Sequence, residues 1–300
     1  MPRLFLLSLL LTTSVPGADR APFQTADRLF QRPAPERIRA DLARVRGARP
    51  HPRILATQED FDRVASLRRS DPVVRDWCAA LQTRADGLLT TPSVTYGLSS
   101  YSGVLPQARR VLAGAQVLGL MYRLTGDERY AERLWGELAT VADRAKFPDW
   151  GRTHYNDAVE MGTACAIAYD WLHDRWTEEQ RSLLRRHLRE FVLRYVVEKL
   201  TNETMPENGR TLTNIRLVYA GGAAVCALAI ADEPDSASLA GEVVSACLRA
   251  LEPGVAMFAP DGGWYEGARY WGYAVRYHNY CLASDRKSTR LNSSHANISY

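Results

Sequence analysis

The chain has 300 residues, 38 Lys+Arg against 34 Asp+Glu (net +4) and 46% hydrophobic residues, enough for one large domain or two small ones. Setting aside Arg3, Arg286, Lys287, Arg290 and Asp285 at the two ends leaves 34 basic against 33 acidic residues, a net charge of +1. No run of like charge or basic-aromatic stripe remains, so nucleic acid is not an expected partner.

Met1–Gly17 carries Arg3, the apolar run Leu4–Leu11 and then small residues around Ala18. That is the pattern of a secretory signal peptide, and it predicts an exported protein, periplasmic or extracellular in a bacterium. The run is too short to anchor in a bilayer, and no later stretch approaches the ~20 apolar residues of a membrane helix. Residues 18–50 are rich in Arg, Pro and Ala with little apolar periodicity, and are expected to form a linker or wrapping arm.

From Thr57 onward the apolar period is helical. It predicts helices at 57–69, 72–88, 106–125, 127–145, 155–173, 177–200, 213–231, 236–252 and 264–282. Thr57 with Asp60 and Thr177 with Gln180 have the spacing of capping boxes. The joints Tyr122–Asp127, Tyr169–Asp174 and Ala229–Pro234 each put apolar residues before a short acidic turn, then restart an amphipathic helix. Helical hairpins repeated in this way must stack to bury their inner faces. The small-residue stretches Gly162–Ala168 and Gly221–Ala231 allow an inner row to approach closely. The expected fold is all-α, an incomplete (α/α) toroid of stacked helical hairpins over residues 51–284.

Asp285–His295 reads Asp-Arg-Lys-Ser-Thr-Arg-Leu-Asn-Ser-Ser-His, the in-frame translation of a common sequencing-library adapter. Residues 285–300 are therefore expected to be non-native and disordered, and the natural chain to continue past Ser284. The five cysteines show no zinc spacing and no Cys-x-x-Cys pair. Neither a metal, nor another cofactor, nor a disulfide framework is expected. Cys165, Cys226 and Cys247 read as small buried thiols. His187 reads as lying on a solvated, arginine-rich face.

The densest chemistry lies in residues 261–273, Asp-Gly-Gly-Trp-Tyr-Glu-Gly-Ala-Arg-Tyr-Trp-Gly-Tyr. A helix beginning near Trp264 would place Glu266, Arg269, Tyr270 and Tyr273 on one face. Rings that stack on sugars, beside charged groups that hold hydroxyls and carboxylates, suit a glycan cleft. The segment resembles the Asp-Gly…Glu-Gly…Tyr signature of the heparinase II/III-like polysaccharide lyases. Two further segments resemble that family in the same order. Phe147–Met161, with Trp150, His154, Asp157 and Glu160, resembles its Trp…His…Asp…Glu-Met stretch. Asn214–Gly222 resembles its Asn-Trp-Asn…Asn-Gly-Gly helix start, departing from it at Ile215, Arg216 and Ala220.

The resemblance spans about His51–Ser284 and implies β-elimination of uronic-acid-containing polysaccharides. In that chemistry a base removes a proton beside the uronate carboxylate, while a neutral amide or cation stabilises the developing enolate. It implies Tyr270 as base and acid, with Asn214 as the group that neutralises the substrate carboxylate. The substrate-binding residues would be His154, Glu160, Arg216, Trp264, Glu266 and Arg269, with no metal. It also implies a β-sandwich domain, bearing a further catalytic histidine, beyond the toroid. An acidic polysaccharide or oligosaccharide is the expected partner. Two alternatives remain open here: a toroidal glycoside hydrolase drawing its carboxyl groups from Asp157, Glu160, Asp261 and Glu266, and a non-catalytic glycan-binding scaffold. Asn214 also suits a plain helix cap.

Overall fold

The computed structural model describes residues 35–45, 50–98, 103–151, 155–201 and 213–288. The expected signal peptide, much of the expected arm, His154 and residues 289–300 lie outside the described residues. The helices are α1 (Pro35–Val45), α2 (Gln58–Ser70), α3 (Pro72–Leu89), α4 (Leu105–Thr125), α5 (Glu128–Ala142), α6 (Tyr155–Trp171) and α7 (Glu178–His187). A π-helical turn (Leu188–Leu193) continues α7 into α8 (Arg194–Thr201), followed by α9 (Asn214–Ala229), α10 (Ala237–Ala256) and α11 (Ala268–Ser288). The chain is all-α, with no strand among the described residues. No described helix is long and apolar enough to cross a membrane.

Both capping boxes form: the side chains of Thr57 and Thr177 accept the amides of Asp60 and Gln180, which reach back to the cap amides. Helices α4, α6, α9 and α11 pack against one another as an inner row, and α3, α5, α7–α8 and α10 back them as an outer row. Contacts between equivalent heights show the four inner helices running in one direction. The Val104 amide, before α4, donates to Asp157 Oδ2 in the first turn of α6 at 2.6 Å. Trp171, at the far end of α6, lies beside Gly119 late in α4.

The closest approach is around α9. A Cβ on Gly221 would lie 2.5 Å from the carbonyl oxygen of Tyr277 on α11, and one on Gly222 would collide with Val159 Cγ1 on α6. The small residues predicted to permit an inner row therefore sit where three helices meet.

Two expectations need correction. Residues 35–45 of the expected arm are helical, and α1 packs on α10, burying Ile38 and Leu42. These residues are four apart and share a helical face, a one-stripe amphipathicity too short to stand out in a segment rich in Arg and Pro. Asp285–Ser288, expected to be disordered, complete the last turn of α11. Lys287 pairs with Asp60, and Ser288 Oγ donates to the Arg53 carbonyl at 3.2 Å.

The C-terminal ends of the inner helices are tied together by His51–Ile54. Asp170, fully buried at the end of α6, accepts from the amides of Arg53 (2.8 Å) and Ile54 (2.9 Å) and holds His51 Nδ1 at 2.5 Å. The Arg53 guanidinium donates to the Ala229 carbonyl at 3.2 Å, which ends α9, and pairs with Asp232. His51 stacks on His173 with centroids 4.0 Å apart and faces Asp232 at 3.5 Å. His173 stands 3.8 Å from Glu233, which also accepts from Tyr169.

Burial alone would lower the pKa of His51, but its bonds to Asp170 and Asp232 outweigh that and raise it. His173, Tyr169 and Arg185 hold Glu233 down to about 2. The stability due to His51 is therefore complete below ~6.5, its unfolded value, and is lost as pH rises through the higher folded value. The stability due to Glu233 is present above ~4.3 and is lost as pH falls toward its folded value. Thermal melts across pH should show greatest stability between these limits, and His51→Phe should abolish the decline on the alkaline side specifically. An unchanged alkaline slope in that variant would show that the knot does not titrate.

Gly222→Ala should destabilise the chain by about 1–3 kcal/mol, because Val159, β-branched within a helix, has no second rotamer to retreat into. Urea denaturation measures this, and a neutral result would mean that α6 and α9 are not in close contact.

Candidate functional site

The opposite end, where the inner helices begin, holds most of the residues singled out by sequence. Trp264–Gly267 is not helical as expected: α11 starts at Ala268. Gly262 and Gly267 have φ of +82° and +89°, left-handed values that suit glycine and turn the chain twice before the helix. Asp261 Oδ1 accepts from the Gly263 amide at 3.0 Å, and Trp271 Nε1 clamps the turn by donating to the Gly262 carbonyl at 2.8 Å.

Because of this turn Glu266 points away from the α11 face and reaches the start of α9. Its carboxylate accepts from the Asn214 amide nitrogen at 2.6 Å, from Asn214 Nδ2 at 2.9 Å and from Trp264 Nε1 at 2.9 Å. A carboxylate at a helix N-terminus satisfies an otherwise orphaned donor and complements the macrodipole. Asn214 is therefore not the cap; Thr213 occupies that position, and Asn214 is the first helical residue. One of its two side-chain N–H groups is committed to Glu266, and the other has no partner among the described residues. Trp264 is buried, with its ring 4.7 Å from that of Phe258.

A second cluster joins three inner helices. Glu160 on α6 is buried, accepts the hydroxyl of Tyr273 on α11, and lies 3.3 Å from Nε of Arg109 on α4. The Arg109 guanidinium lies over the Tyr273 ring at 5.2 Å, with its side chain 47% exposed. Burial and the neighbouring carboxylate raise the pKa of Tyr273, and burial raises that of Tyr277 one turn further on. Both therefore stay protonated. Tyr270, three residues before Tyr273 on the same helical face, is 45% exposed, and Arg269 beside it is exposed too. Arg216 is half-buried, and desolvation lowers its pKa.

Of the predicted site residues, Asn214, Glu266 and Trp264 thus form one bonded group. Glu160 belongs to an adjoining one, and Tyr270 and Arg269 lie in the open first turn of α11. His154 lies outside the described residues. Arg109 and Tyr273 complete the second cluster. Arg109 was missed because the pair Arg109-Arg110 near the start of an apolar helix looks like an ordinary solvated surface. The other hydrolase candidates are Asp157, buried as the acceptor for Val104, and Asp261, exposed in its turn.

His187 requires correction: it is buried and stacked against Trp150, and burial lowers its pKa. Its position in a helix rich in arginine suggested the surface, but the ring fills the space beside Trp150. Trp150 itself is core, donating to the Val141 carbonyl at 2.8 Å. All five cysteines are buried, and burial raises the pKa of Cys165, Cys226, Cys247 and Cys281. Neither a scan against protein-family models nor a search of curated proteins finds a match to this chain.

Glu266→Ala should destabilise the chain by about 1.5–3 kcal/mol, since hydrogen bonds to a charged group are among the stronger ones and three donors lose their acceptor. Chemical denaturation tests this. A loss below about 0.5 kcal/mol, the range of ordinary surface substitutions, would mean that the carboxylate does not hold α9 to the turn.

Proposed function

We propose that the chain is the helical part of an exported polysaccharide lyase of the heparinase II/III-like type, cleaving uronic-acid-containing polysaccharides by β-elimination. The observation that carries this reading is the contrast among the four phenols of α11. Tyr277 is buried and Tyr273 partly buried, both held protonated, and Tyr280, also partly buried, accepts from Gln116, while Tyr270 is exposed, four residues beyond the carboxylate that holds Asn214.

The parallel inner helices also direct their N-terminal ends, the positive ends of their dipoles, toward this site, which suits an anionic polymer. The uncommitted N–H of Asn214 and the terminal nitrogens of Arg109 are donors for a substrate carboxylate. Such hydrogen bonds strengthen as charge moves onto that carboxylate in the transition state. Tyr270, as phenolate, takes the proton from C5. The electron pair of the C–H bond becomes the C4–C5 double bond, the C4–O bond breaks, and the leaving oxygen receives the proton back from Tyr270.

The test follows ultraviolet absorbance as the gene product acts on alginate, heparan and chondroitin, since only elimination creates a conjugated unsaturated uronate. Tyr270→Phe should lower kcat by ~10²–10⁴-fold with binding largely intact, the usual size of a proton-transfer contribution. Tyr273→Phe should lower it far less. Retention of more than about a tenth of the activity by Tyr270→Phe would remove the proposed role. Release of reducing sugar without absorbance would replace this reading with a hydrolase, and binding without turnover would replace it with a scaffold.

A further inference from the structure

A cavity of about 500 Å³ opens on the outer row, lined by Arg144, Glu190, Phe191, Arg194, Tyr195 and Glu198. It is well removed in sequence from Tyr270 and built from different elements: the end of α5, the π-helical turn and α8. Its volume falls within the range of small-molecule sites. Phe191 is buried beneath it and packs against Trp150 and His187, both with centroids 5.3 Å away, so the floor is rigid. Arg144 lies over the Phe191 ring at 4.8 Å and pairs with Glu190. The side chains of Arg194 and Glu198, one helical turn apart and flanking Tyr195, make no ion pair or hydrogen bond among the described residues. The π-helical turn that carries Glu190 and Phe191 is a geometry frequent at functional sites.

We propose that this cavity is a second, non-catalytic binding site for a carboxylated saccharide. The chemistry of the lining selects the class. Arg194 offers a planar fork matched to a carboxylate. Glu198, and Glu190 beside its partner Arg144, accept from hydroxyls, while Arg144 and Lys199 cover the Phe191 and Tyr195 rings. A multiply charged anion such as phosphate would meet two glutamates, and a neutral sugar would leave Arg194 unpaired. Uronate units satisfy both kinds of group. A distal site of this kind would hold a remote part of a long substrate while the end bearing Tyr270 acts on another. The ligand class rests on the proposed reading of the chain as a uronate-polymer enzyme; the cavity itself does not.

The experiment measures binding of a saturated glucuronate-containing tetrasaccharide to the Tyr270→Phe protein by calorimetry, with cellotetraose as the neutral counterpart. Two binding steps are expected for the acidic probe. Arg194→Ala should weaken one of them by about tenfold or more, and Arg194→Glu should abolish it, the size expected when a charge-assisted contact is lost and then reversed. Cellotetraose should bind that site at least about tenfold more weakly than the acidic probe. Arg194 is exposed, so both variants should melt like the parent, and Glu198→Gln gives an independent variant of the same lining. Equal binding of the two probes, or affinities unchanged in both Arg194 variants, overturns the proposal. Arg194-dependent binding by a chain that eliminates no uronate polymer would sink the functional reading and leave this site standing. Intact turnover with binding indifferent to Arg194 would do the reverse.

Discussion

Everything at the candidate site depends on how closely α9 lies against α6 and α11. Gly221 and Gly222 bring its backbone within a methyl group's reach of Tyr277 and Val159. That contact fixes the height of α9 between its neighbours. The height in turn sets whether Asn214, at its first turn, can reach Glu266 in the turn before α11. Interiors packed to crystal-like density transmit such constraints instead of absorbing them. A bond between side chains 52 residues apart in sequence thus follows from two missing side chains about two helical turns below it.

The two ends of the inner row are treated in opposite ways. At the C-terminal ends, where helix dipoles present negative charge, the fold supplies its own cations. Arg53 meets the last carbonyls of α9, and His51 sits between Asp170 and Asp232. A buried arginine is tolerable only when it is paired and fully bonded, and the acidic joint after α9 provides the pairing. At the N-terminal ends Glu266 is spent on α9 and Asp157 on the start of α4, while Arg109, Arg269 and Tyr270 remain wholly or partly exposed. One end is closed electrostatically, and the other is left able to accept an anion.

The helices were legible because each has a long, strongly periodic apolar face; from Gln58 to Ala256 their bounds lie within a few residues of expectation. The three acidic joints were legible as turns, but their destination was not. Asp170 and Asp232 serve a histidine and an arginine that lie at least 117 residues away, and nothing local in the sequence marks that pairing. The start of α11 was misplaced because Trp264–Glu266 has helical spacing. Gly267 was the available signal, since a left-handed glycine separates a turn from the helix that follows. The short α1 escaped notice because Ile38 and Leu42 are its only fully covered apolar residues among those described.

Placement also reorders the roles that sequence assigned together. Glu266, Arg269, Tyr270 and Tyr273 looked like one face of one helix. Two glycines instead send Glu266 to a neighbouring helix and leave the two tyrosines with opposite fates. Tyr273 is locked to Glu160 beneath Arg109, where burial and a carboxylate keep its proton on. A phenol so held can orient a guanidinium but cannot act as a base at ordinary pH. Tyr270, one turn nearer solvent, has neither the burial nor the carboxylate. On the proposed function, proton chemistry on this helix falls to its exposed first turn, above the turn where Tyr273 and Glu160 hold Arg109.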